Sequence, residues 1–133
     1  MFLVDTNVWV ELLLEQEKAS EVRRFLQAIE PRLLSMTEFS LYSIGVILTP
    51  LKKDDVFEDF LSDTIEDSGV ARVRLDTEDL KQLLAVRQQF EIDFDDAYQY
   101  VAAEKYDLTI VSFDADFDRT DRGKKTPAEI LEG

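Results

Sequence analysis

The chain has 133 residues, 45% of them hydrophobic, and its 29 Asp plus Glu against 15 Lys plus Arg give a formal charge of -14. It has no Cys and no His, which excludes Ser-His-Asp triads, His general bases, His-rich zinc sites, Cys nucleophiles, disulfides and iron–sulfur clusters. What remains is carboxylate chemistry, alone or with a hard metal, on a surface too acidic to hold a phosphate backbone by net charge.

In chain order, the apolar run Phe2 to Val4 predicts a first strand. This start lacks the basic and apolar regions of a signal peptide, and no later run is long enough to span a membrane, so a cytoplasmic protein is expected. Val8, Trp9, Leu12 and Leu13 recur at helical spacing, as do Val22, Phe25, Leu26 and Ile29. In that register Trp9 reads as a core residue rather than a base-stacking one.

Leu33 and Leu34 predict a second strand, and Phe39 to Leu48, apolar on nearly all sides, predicts a buried helix ended by Thr49-Pro50. Ser35-Met36-Thr37-Glu38 has the spacing of a capping box for that helix. Exposed parts of it, with Tyr42 and Phe39, could instead cover a partner.

Val56, Phe57, Phe60 and Leu61 predict a further helix, the alternation from Arg72 to Leu75 a strand, and Leu80, Leu83 and Leu84 another helix. A late helix runs through Ala97, Tyr98 and Val101, and Leu108 to Val111 is the last predicted strand. Strands separated by helices, with no repeat, linker or low-complexity tract, predict one α/β domain over 1–133 with a mostly parallel sheet.

The acids fall at particular places in this pattern. Asp5 follows the first strand, Glu38 opens the apolar helix, Asp93, Asp95 and Asp96 open the late helix, and Asp114 and Asp116 follow the last strand. In an open parallel sheet these positions converge on the carboxyl edge, where ligands bind. Each acid alone also reads as a helix cap or a solvated charge. Asp95 and Asp96 point about 100° apart on a helix, and Asp96 is the inward choice.

Jointly, carboxylates crowded at one edge repel unless divalent cations lie between them, and an all-oxygen donor set favours Mg²⁺ or Mn²⁺. Such a cluster suits in-line phosphodiester hydrolysis. The run Asp114-Ala115-Asp116-Phe117-Asp118 is not a calcium loop, because Arg119 and Lys125 stand where such a loop needs Gly and Glu. No glycine-rich nucleotide loop is present.

Phe2-Leu3-Val4-Asp5-Thr6-Asn7-Val8, then Glu38, then Asp96-Ala97, then Ser112-Phe113-Asp114-Ala115-Asp116-Phe117 resembles the PIN-domain ribonucleases, in particular the VapC-type toxins of toxin–antitoxin pairs. The resemblance covers essentially the whole chain. It implies a PIN-like α/β/α sandwich, hydrolysis of single-stranded RNA, Mg²⁺ or Mn²⁺ as cofactor, an antitoxin partner and a homodimer. Carried over by position, Asp5, Glu38, Asp96 and Asp114 would be the acidic quartet. Asp5, Asp96, Asp114 and Asp116 would hold metal, directly or through water, and Asn7 and Ser112 would support them.

Arg119, Arg122, Lys124 and Lys125 follow the last acids closely and could hold an RNA backbone, as could Lys52 and Lys53; a solvated basic tip is the other reading. Two other functions are set against the nuclease. One is a non-catalytic PIN-like module that binds RNA or protein. The other is aspartate-based phosphotransfer, which the pattern disfavours because Asn7 stands where a phosphatase of that kind has a second Asp, and no Lys follows Val111 where a receiver domain has one.

Overall fold

The computed structural model describes residues 1–133. Four strands, β1 (Phe2–Val4), β2 (Leu34–Thr37), β3 (Ala71–Val73) and β4 (Thr109–Val111), form one sheet in the order β3-β2-β1-β4. Every pairing is parallel, with Phe2 opposite Leu34 and Leu3 opposite Ile110. Parallel neighbours require crossover helices. These are α1 (Thr6–Leu13), α2 (Ala19–Ala28), α3 (Glu38–Leu48), α4 (Asp54–Phe60), α5 (Thr77–Phe90), α6 (Phe94–Tyr106) and the terminal α7 (Pro127–Glu132).

Successive strand residues point to opposite faces, and here both faces are covered. Val4 and Val111 join Val8, Trp9, Phe25, Ile44 and Phe60 in one apolar cluster under α1 to α4. Leu3 and Ile110 join Leu83, Ala97 and Val101 in a second under α5 and α6. The result is the expected α/β/α sandwich, with β1 at its centre. Capping boxes at Asp76 and Asp79 and at Thr126 and Glu129 start α5 and α7. Gly45 lets α3 and α4 meet, because a Cβ there would lie 3.1 Å from the Phe57 ring.

Three local expectations are corrected. The cap of α3 is Thr37, whose hydroxyl accepts from the Ser40 N–H, so no box forms from Ser35, which lies inside β2. The same two-residue shift places Glu38 at the first helical position. Asp93 precedes α6 but its side chain makes no capping bond. Third, α3 buries only the stripe Ser40, Leu41, Ile44 and Leu48, and Val46 is 71% exposed, with Tyr42 and Leu51 also outward. The domain's own core covers one side of α3 and nothing in the chain covers the other. Trp9 is buried, edge-on to Phe60. No helix is long and apolar enough to cross a membrane.

Candidate active site

The site forms where β1 and β4 end. The Asp5 backbone N–H donates to the Val111 carbonyl at 2.9 Å, which fixes its carboxylate at the carboxyl edge of the sheet. Oδ1 accepts from the Thr6 N–H at 2.8 Å and from Gln99 Nε2 at 2.9 Å. Oδ2 accepts from Ser112 Oγ at 2.8 Å and Asn7 Nδ2 at 3.3 Å. Burial pushes the Asp5 carboxyl above its ordinary pKa; the hydrogen bonds from Gln99, Ser112 and Thr6 oppose the rise and the Asp114 charge adds to it.

Ser112 and Asn7 extend this frame to the next carboxylate. Ser112 Oγ accepts from Asn7 Nδ2 and from the Asp114 N–H, both at 3.0 Å, while Asn7 Oδ1 accepts from the Phe113 N–H at 3.1 Å. Asp114 caps the 3₁₀ turn Ala115–Arg119 by accepting from the Asp116 N–H at 2.8 Å. A strand end followed by an aspartate-capped turn therefore delivers Asp114 and Asp116 together.

From α6, Asp96 enters the same space, while Asp95 stays exposed at the rim. One oxygen each from Asp96, Asp114 and Asp116 lies within 4.8 Å of the others. Asp96 is only 7% exposed. Burial first, then the Asp114 charge and a hydrogen bond between the two carboxyls, then Asp95 and Asp5, push its pKa up to about 8. Asp96 and Asp114 border a cleft of about 330 Å³ that Asp5, Asn7 and Gln99 also line, with Phe39 and Ile47 as an apolar wall.

A divalent cation fits this donor set. The donors are hard oxygens, and the repulsion among them, which adds to the effect of burial in raising the Asp96 pKa, is relieved by a cation. Asp5 already accepts four protein donors, whereas Asp96, Asp114 and Asp116 bring oxygens close enough to one another to share a cation, Asp116 while also paired with Arg119.

Glu38 does not join them. Its carboxylate pairs with Arg72 of β3 at 3.0 Å, and the same guanidinium donates to the Tyr42 hydroxyl. The basic residues also divide. Arg119 sits beside the cluster, paired with Asp116 at 3.2 Å. Arg122 binds Asp107 and the Leu108 carbonyl, at the opposite end of β4, and Lys124 pairs with Asp118. Lys125 bridges to β4 through its backbone. A cation the sequence did not single out, Lys18, lies 4.6 Å over the Phe113 ring, next to Asn7's partner.

Sequence reasoning also missed Gln99, Ser40, Thr6 and Thr37, which line or underlie the site. One signal was available. Gln99 is the lone amide in the buried run Ala97 to Ala103 and lies three residues after Asp96, on the same helix face.

The sequence matches the PIN domain family over residues 2–123. No curated protein matches it. Among solved structures, the chain is similar to a toxin–antitoxin complex from Klebsiella pneumoniae at 19% identity and TM-score 0.76, covering 96% of this chain and 98% of that one. It is similar to VapC20 of Mycobacterium tuberculosis, a sarcin-ricin loop cleaving toxin, at 17% identity and TM-score 0.75, covering 89% and 93%. It is similar to FitAB bound to the IR36 DNA fragment at 18% identity and TM-score 0.83, covering 96% and 95%. At such identities the likeness is one of fold.

Proposed function

The chain belongs to the PIN domain family, and from that premise we propose that it is an endoribonuclease that hydrolyses single-stranded RNA with Mg²⁺ or Mn²⁺, the toxin of a toxin–antitoxin pair. The observation that carries this reading is the convergence of Asp96, Asp114 and Asp116 beside buried Asp5 at the sheet's carboxyl edge.

Asp96, Asp114 and Asp116 would hold the cation, which when bound lowers the pKa of water and neutralises charge on the scissile phosphate. Asp5 serves as the anchored carboxylate around which the rest is built. Its donors Ser112 and Asn7 orient the turn that carries Asp114, so an error in Asp5 is transmitted to the acids that face the substrate. Glu38 acts at one remove, holding Arg72 and through it the edge strand β3.

RNA must approach a chain of charge -14, so local cations matter. Arg119, paired with Asp116, and Lys18, over the ring of Phe113 next in sequence to Asp114, are the residues we assign to phosphate contact. Arg122 and Lys124, at the far end of β4 and in acidic pairs, receive no such role. Sequence preference in such a cleft comes from its shape and a few base contacts. The toxin–antitoxin setting is supported by the structural neighbours, among them a toxin–antitoxin complex and a toxin. The outward residues Tyr42, Val46 and Leu51 of the α3 region supply an apolar surface for a second copy.

The test is direct. Purified protein incubated with single-stranded and structured RNAs is expected to cut the single strands when Mg²⁺ or Mn²⁺ is present and to leave them whole in EDTA. RNA left whole under every metal, while still bound by the protein, would identify a non-catalytic binding module.

A further inference from the structure

We propose that Gln99 is a positioning residue: its side-chain amide locks the Asp5 carboxylate in place and ties it to the first turn of α3. For its catalytic consequence this rests on the nuclease reading above; the lock itself exists without metal or RNA.

The orientation of the amide follows from its neighbours. Asp5 Oδ1 already accepts the Thr6 N–H, so the Gln99 group facing it at 2.9 Å is the NH₂. On the other side, Thr37 Oγ1 accepts the Ser40 N–H, which leaves its own proton to donate to Gln99 Oε1 at 2.8 Å. The second Nε2 proton goes to Ser40 Oγ at 2.8 Å, which also accepts from Thr6 Oγ1 at 2.8 Å. A flipped amide would set acceptor against acceptor at the Asp5 carboxylate.

Gln99 is 2% exposed and Thr37 and Ser40 are fully buried, so these bonds are largely shielded from solvent. The bond to Asp5 fixes the orientation of the amide. The network connects α3 to the end of β1 by way of α6, the helix that also carries Asp96 three residues earlier. α3 thus contributes to the site a hydroxyl relayed by Gln99, while its own carboxylate, Glu38, is held by Arg72 outside the acidic cluster. An amide at this position fixes Asp5 without adding a further negative charge beside Asp96 and Asp114.

Outer partners of metal sites are worth about 10- to 100-fold in metal affinity or activity. Gln99→Met, which fills similar space without hydrogen-bonding, is expected to weaken Mn²⁺ binding, measured by calorimetry, by about that factor. It should lower kcat for RNA cleavage with little change in KM, because Gln99 acts through Asp5. Ser40→Ala leaves the Gln99–Asp5 bond in place and is expected to cost less on both measures.

A readout without metal or variant of Gln99 guards against loss of folding. In metal-free wild type, the Gln99 side-chain NH₂ should exchange with water at least about tenfold more slowly than those of the exposed Gln82, Gln88 and Gln89. Asp5→Asn should abolish that difference. Fast exchange of Gln99 in the wild type overturns the proposal, as do unchanged Mn²⁺ affinity and kcat in Gln99→Met, or equal losses in Gln99→Met and Ser40→Ala. Slow exchange that depends on Asp5, in a protein that neither binds Mn²⁺ nor cuts RNA, supports the lock and overturns the nuclease reading instead.

Discussion

Asp96→Asn is expected to slow RNA cleavage by about 10²- to 10³-fold, the size of losing one preorganised electrostatic group, while making the metal-free protein more stable at pH 8. Both effects have one cause. Burial, reinforced by the charges of Asp114, Asp95 and Asp5, pushes the Asp96 pKa up to about 8, an arrangement that is costly for the fold and suited to a cation. Because the folded pKa is raised above 3.8, the folded state keeps a proton that the unfolded state releases between those values. Stability from this group is therefore complete below the lower value and is lost as pH rises towards 8. Asp5 is raised in the same direction.

In EDTA the wild-type melting temperature should fall from pH 5 to 8 and recover on adding Mg²⁺, which takes the place of the proton. Asp96→Asn cannot ionise, so its fall should be shallower and its response to Mg²⁺ small. Thermal melts across pH with and without Mg²⁺, beside the cleavage assay, check both halves. A variant that cuts RNA at the wild-type rate would remove Asp96 from the site. A steep wild-type rise in stability from pH 5 to 8 would contradict the electrostatic account.

The largest loss of stability is expected at Trp9, where Trp9→Ala should cost about 3–5 kcal/mol. Trp9 is 2% exposed and packs edge-on against Phe60 at 5.3 Å between ring centroids, joining α1 to α4 under the sheet. Its Nε1 is buried without a hydrogen-bond partner, so part of the indole is held at a cost. Trp9→Phe removes that orphan donor and keeps a ring against Phe60, and should therefore lose less than half as much. Urea unfolding of the two variants decides the point. Equal losses would show that a ring kept against Phe60 and the removal of the unpaired donor recover nothing, and would contradict this account of the site.

Much of this architecture was readable from periodicity, because each helix had to bury one stripe and each strand was short and apolar. Asp5, Asp96 and Asp114 were readable for a related reason: an acid directly after a strand, or inside the first turn of the next helix, has only the carboxyl edge to occupy. Glu38 marks where this reasoning stops. It shares that description, but capping by Thr37 turns it towards Arg72, and Ser40 instead faces the sheet. A shift of one residue in a helix start rotates every side chain by about 100°, and the choice of cap between Ser35 and Thr37 is decided by how far β2 extends.

Sequence proximity alone does not report where the basic residues lie. Four of them follow Asp116 within nine positions, yet the chain doubles back along β4 through Lys125 and carries Arg122 to the strand's other end. The exposed face of α3 was hidden for the opposite reason. A helix apolar on all sides gives no periodicity from which to tell its covered side.

Soaking Mn²⁺ into crystals of the wild type and locating it by anomalous scattering tests the central claim most directly. The predicted result is a peak about 2 Å from oxygens of Asp96, Asp114 and Asp116, with Asp5 still engaged by Thr6, Gln99, Ser112 and Asn7. No peak among these three acids, or ordered Mn²⁺ only at other carboxylates, would contradict it.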